Sequence, residues 1–282
     1  MNPLPDCPFI TAPLRDVNAW ATAMHSLPIP VQAETAMSVN ALRANEDAVD
    51  ARLLSETLSA DPLMTLSLLR HVAAQRGSRC VTDAETVTEA TVLLGITPFF
   101  QAFQDLPTIE ARLADQPQAL HGLKAVLRRA DRAARFALGF AVHRMDHDAA
   151  VIHEAALLHD FAEMLLWAHA PSLALEVQRL LQSDPGLRSV LAQRAVLHVS
   201  LPELQQTLMQ RWHLPELLVQ ITRDEQATNS RQMRNVQLAI RVARHSSQGW
   251  DNPALPEDMS ELGLLLNLSA PHVQQLLIEL DA

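Results

Sequence analysis

The chain has 282 residues, 48% of them hydrophobic and 19% charged, and a formal net charge of −10. Such a surplus of carboxylates argues against broad contact with a phosphate backbone, which requires a basic face. Seven glycines, no tyrosine and 4% aromatics describe a helical protein with an aliphatic core, because strands and hairpins draw on glycine, β-branched and aromatic residues.

Residues 1–30 hold six prolines (Pro3, Pro5, Pro8, Pro13, Pro28 and Pro30), which leaves room for one short helix around Val17–Met24. Helices are expected next at 33–44 and 47–59. Asp61 then reads as an N-cap with Pro62 at the first helical position, where its missing N–H costs nothing. Behind it Leu63, Leu66, Leu68 and Leu69 make one apolar stripe. Periodicity continues through 86–94, 97–105, 120–142, a single long helix at 150–169, and 171–182. A second Asp-Pro start, Asp184-Pro185, precedes GLRSVLAQRAVL, and 202–211, 215–225, 231–247, 257–266 and 270–280 complete the pattern. Pro98, Pro171, Pro202, Pro215 and Pro271 all fall near helix starts. No run alternates with period two; His143–Asp148 and Gln248–Pro256 read as loops.

Cys7 and Cys80 make neither a disulfide framework nor a zinc spacing, and read as free thiols of a reducing compartment. The first residues lack a basic region ahead of an apolar run, and no stretch is long enough to span a membrane. A soluble, cytoplasmic protein is expected.

Chemical signals are few. His143, Asp146, His147, Asp148 and His153 crowd together, and His143/His147 would suit a transition metal if helical; a solvated interhelical loop is the plainer reading. His169, His213, His245 and His272 are scattered and are expected at the surface or in caps, while Trp167 and Trp212 read as core anchors. Lys124, the single lysine, stands beside Arg128, Arg129, Arg132 and Arg135: a solvated helix face, or a basic interaction face. There is no GxSxG, GxGxxG or GxxxxGK[ST], so neither an acyl-transfer elbow nor those nucleotide cradles are present.

Four stretches together resemble a known family. SLPIPVQAETAMSVNALRAN is similar to its opening LP-x-LP and helix, LLSETLSADPLMTLSLLRHVA to its DP-x-L-x-x-x-LL helix, and TVTEATVLLGITPFF to its helix ending in Leu-Gly. EAALLHDFAEMLL and LMQRWHLPELLVQI follow, like its GLLHDIG and W-x-LP segments. From about residue 26 to 226 the chain thus resembles the HDOD family, the HD-related output domain of bacterial signalling proteins. The resemblance implies an all-α, multi-helix bundle in two helical subdomains: a proline-rich segment 1–25, an N-terminal bundle 26–115, and an HD-like bundle 116–282 with extra terminal helices.

It also implies a chemistry to check. HD-type phosphohydrolases, similar in fold, hold a metal with one histidine, an adjacent His-Asp pair and a later aspartate. Here the pair is His159-Asp160, but 122–142 contain no histidine; Arg129, Asp131 and Arg132 stand there. Family members often place a histidine eleven residues before the W-x-LP tryptophan; that position is Leu201, and His198 is out of register with Trp212 across Pro202. Arg223-Asp224 takes the place of a His-His pair, and Phe161-Ala162-Glu163 follows His-Asp where the family has glycine and lysine. The reading is a degenerate site with no catalytic residue, metal or cofactor, His159-Asp160 surviving as a buried hydrogen-bonded pair. The expected function is non-catalytic signal transduction through other signalling proteins, receiver or cyclic-dinucleotide turnover proteins among them, or through a small ligand. The alternative is a metal-dependent phosphohydrolase on a nucleotide or cyclic dinucleotide, using His159, Asp160, His153 and His198. Nucleic-acid binding through Arg128–Arg135 is disfavoured by the charge.

Overall fold

Helix starts in this chain are set by side chains that capture the first free N–H groups. In a computed structural model, describing residues 7–75, 84–184, 186–222, 230–247 and 249–281, Asp16, Asp50, Asp61, Thr108 and Ser230 each accept an N–H from the first turn behind them. Thr86 with Glu89 and Ser200 with Glu203 form full capping boxes.

The chain runs α1 (Val17–Ser26), α2 (Ala33–Arg43), a 3-10 turn (Glu46–Ala48), α3 (Ala51–Leu58), α4 (Pro62–Ala74), α5 (Val87–Leu94), α6 (Ile96–Ala102) and α7 (Ile109–Arg112). It continues through α8 (Pro117–His143), α9 (Ala149–Leu157), α10 (Phe161–His169), α11 (Pro171–Ser183), α12 (Ser189–Leu197), α13 (Leu201–Arg211), α14 (Glu216–Ile221), α15 (Arg231–His245), α16 (Leu255–Leu266) and α17 (Ala270–Asp281). The fold is all-α as expected. Among the described residues the sole β pairing is one isolated parallel bridge, Val31 with Thr108.

Two compact units are present, one made of residues up to Val126 with Asp160–Pro215, the other of Leu127–His159 with Glu216 onward. Each draws on two stretches of chain, whereas the sequence reading has contiguous segments 1–25, 26–115 and 116–282. In the first unit α4 packs on α5 and α10, α1 on α13, and α11 on α10 and α12. Leu63, Leu66, Leu68 and Leu69 of α4 are buried, as their stripe predicts. In the second, α15 packs on α9, α14 and α16, and α17 on α16. Phe136 and Phe140, one turn apart on α8, lie stacked and buried there.

The structure corrects the sequence reading at two helix boundaries. The expected helix 150–169 is broken: Leu158 and Asp160 adopt turn conformations (φ −93°, ψ 0° and φ −106°, ψ 23°), separating α9 from α10. Asp184 does not start a helix either; its Oδ1 accepts Gly186 N–H at 2.9 Å in a local turn, and α12 begins at Ser189. Pro185, Cys80 and Arg223-Asp224 lie outside the described residues.

Candidate functional site

The His159-Asp160 pair sits in the turn between α9 and α10. Leu158 N–H still bonds Glu154 O at 2.9 Å, and His159 N–H reaches Ala156 O at 3.4 Å, so the helix tightens and stops. Asp160 restarts it: its carbonyl accepts Glu163 N–H and Met164 N–H at 3.0 and 3.1 Å. The Asp160 carboxylate does not cap α10. That role goes to Gln205 of α13, buried, whose Oε1 accepts Ala162 N–H at 3.3 Å. His159 and Asp160 are half-buried, and the two fall in different units, His159 in the second and Asp160 in the first.

The other proposed ligands are dispersed. His153 lies on α9 in the second unit, where burial lowers its imidazole pKa and the Asp131 carboxylate partly opposes that. His198, exposed, ends α12 in the first unit in the left-handed region (φ 66°). Among the described residues no three His, Cys, Asp or Glu side chains come together in a way that could hold a metal. His153 and His159 belong to the second unit, Asp160 and His198 to the first. His143 is the last residue of α8 and His147 lies beyond the helix, past Met145 at φ 55°, so these two do not share a helical face.

On α8, within the stretch 122–142 where the resemblance asks for the first histidine, Arg132 forms an ion pair. Arg132 donates Nε and Nη2 to the two carboxylate oxygens of Asp281 at 2.7 and 2.8 Å, and Nη2 also to Ser246 Oγ at 3.0 Å. The proposed basic face is largely committed elsewhere: Lys124 pairs with Glu110 at 3.0 Å and Arg135 with Asp131 at 3.4 Å. Arg128 is exposed and Arg129 half-buried.

Residues from three of the resembling stretches meet around Trp212 inside the first unit. Trp212, buried, packs on Phe161 with centroids 5.7 Å apart and donates Nε1–H to His25 Nδ1 at 2.9 Å. Arg70 lies over the Trp212 ring at 5.3 Å and reaches Leu27 O, the carbonyl that ends α1, at 3.4 Å. Asp61 accepts Leu63 and Met64 N–H and, from the LPIP stretch, Gln32 N–H. Gly95 (φ 82°, ψ 157°) joins α5 to α6 in a conformation open to glycine.

The HDOD domain family matches residues 29–228. The chain belongs to the HDOD family. No match was found among curated proteins. Among solved structures, the MmoQ response regulator from Methylococcus capsulatus str. Bath is similar at 21% identity and TM-score 0.65, covering 89% of this chain and 98% of its own. A virulence factor from Campylobacter jejuni subsp. jejuni is similar at 16% identity and TM-score 0.65, covering 89% of this chain and 88% of its own. At such identities the likeness is one of fold.

In this HDOD protein the sequence reading misplaced two histidines. His169, expected at the surface, is 1% exposed at the end of α10. Burial first, then Arg112 and Arg70 nearby, push its imidazole down to about 3, against a smaller upward pull from the Pro28 carbonyl. Arg112 donates Nε–H to Ala168 O at 2.8 Å, setting a cation on the carbonyl end of α10. His245 departs from the surface expectation too: it meets Asp258, fully buried on α16, at 2.5 Å, and Arg241 meets the same carboxylate at 2.7 Å. No local spacing announces either cluster, because their partners come from other helices.

Proposed function

We propose that this HDOD chain is a non-catalytic signalling module that acts by binding another signalling protein. What supports this reading is Arg132. In the stretch 122–142, where the HD resemblance asks for a histidine to hold a metal, the chain has none, and Arg132 there is bound to Asp281. His159-Asp160 lies in the turn between two helices, Asp61 caps α4 and holds Gln32, and Trp212 packs with Phe161 and Arg70. The MmoQ neighbour is named a response regulator, which points toward relay. We extend the reading to partners such as receiver or cyclic-dinucleotide turnover proteins in the cytoplasm.

The test is metal content of protein purified without chelator, together with hydrolysis of a phosphodiester, for wild type and for His159→Ala with Asp160→Ala. The expected result is substoichiometric metal and the same negligible turnover in both. Stoichiometric metal and turnover that the double variant loses would establish the phosphohydrolase reading in its place.

A further inference from the structure

In the first unit α3 packs on α2 and on α5. Each helix buries one side: Leu54, Ser55 and Leu58 of α3, and Val87, Ala90 and Thr91 of α5. The other sides carry apolar residues into water. Leu53 is 43% exposed, Val92 65% and Leu93 49%, with Met37 of α2 at 68%. One exposed aliphatic residue is ordinary, but four on three neighbouring helices mark a surface with a use.

The helices α3 and α5 and the turns ahead of them are acidic. Glu46, Asp47, Asp50, Glu56, Glu85 and Glu89 stand in 44–60 and 84–98, against Arg52, engaged with Glu56 at 2.8 Å, and Arg43 at the end of α2, which donates to the Phe103 and Gln104 carbonyls. Several of the carboxylates are fixed in place. Asp50 caps α3 and Glu89 completes the capping box of α5. Glu46 accepts the Thr97 hydroxyl, which ties the start of α6 to the turn ahead of α3.

That charge selects the occupant. A second copy of the chain would bring the same carboxylates against these, and an anionic lipid surface or a nucleic acid would be repelled in the same way. The complement is an apolar stripe with lysines or arginines along its edges. We propose that the α3/α5 face docks a basic-bordered amphipathic helix presented by another protein. The proposal rests on the reading of the chain as an interaction module, and names the chemistry of its partner.

The probe is a labelled helical peptide of about 18 residues, long enough to cross such a face, built of leucine and lysine with the leucines on one side. Its anisotropy is followed against the full chain. The expected result is saturable one-to-one binding that Val92→Asp or Leu93→Asp weakens by about tenfold, the loss of a central apolar contact. Asp47→Asn with Glu56→Gln should weaken it less and flatten its salt dependence. Leu264→Asp, at an equally exposed leucine of the second unit (75%), should leave it unchanged. The proposal fails if Val92→Asp and Leu93→Asp bind as wild type does, or if Leu264→Asp is equally damaging. It also fails if a peptide of the same composition with scattered leucines binds as tightly. These results are separate from those of the metal and hydrolysis test. Failure of docking in a protein without turnover removes this surface alone, and metal-dependent turnover removes the interaction-module reading.

Discussion

The carboxylate of Asp61 accepts the backbone N–H of Gln32 at 2.8 Å, joining α4 to the segment ahead of α2. The same fully buried group also accepts Leu63 and Met64 N–H at 2.9 and 3.2 Å. Removing it strands three N–H donors at once. Asp61→Ala is expected to cost about 3 kcal/mol, the sum of a lost cap and buried unsatisfied donors. Asp61→Asn keeps an acceptor oxygen and should cost clearly less. Urea unfolding midpoints of the two variants decide it, and equal losses would show that the oxygen contacts are not what matters.

His169 gives the chain an acid-sensitive element. Its folded imidazole titrates at about 3, below its ordinary 6.5. The unfolded chain therefore binds a proton below 6.5 that the folded chain refuses until about 3. The stability of the neutral form is complete above 6.5 and declines as pH falls through that window. From pH 7 to pH 5 the folded-to-unfolded ratio of wild type should fall about twenty-fivefold more than that of His169→Leu, which has no proton to take up. Parallel pH dependences of the two proteins would remove His169 from the account.

Two glycines of α8 should respond to alanine against the usual trend. A Cβ at Gly122 would lie 2.5–2.7 Å from the Trp167 ring, and one at Gly139 2.4 Å from Leu280 Cδ1. In an open helix Gly→Ala gains about 1 kcal/mol. Here Gly122→Ala is expected to lose about 2 kcal/mol, because a buried indole cannot bend away. Gly139→Ala should lose less, since Leu280 is only partly buried and can change rotamer. Thermal midpoints of both variants test the order.

The Asp258 cluster holds the second unit together. Asp258→Ala leaves Arg241 and His245 facing a buried void and should cost about 3 kcal/mol. Joining Asp258→Leu to Arg241→Met removes that pair, though it also takes Arg241 from Glu261, and should restore part of the loss. A double variant no more stable than Asp258→Ala would mean that the charge pair is not the source of the effect.

The signals that were legible in the sequence act over a few residues. Asp61-Pro62 starts α4 because the cap and the fixed φ of proline act within one turn, and the α4 leucines reach the core because their spacing follows the helix period. The family motifs were readable for the same reason. Asp184-Pro185 was misread because an aspartate can as well close a turn on its own neighbour, as it does with Gly186. His169 and His245 were misplaced because burial of a histidine depends on what packs over it.

Composition and helical spacing by themselves determined an all-α chain, the four motif stretches its resemblance to the HDOD family, and the residues at 122–142 showed that no histidine stands there. The tertiary structure alone decided where those residues go. Nothing in LLHDFAE stops a helix. The break around Asp160 is held by Gln205, 43 residues on from Ala162, and the charge on Arg132 is met by Asp281, 149 residues away. Spacing along a chain encodes which side of a helix is apolar, but the partner a buried polar group finds is set by which helices pack together, and those contacts have no local pattern.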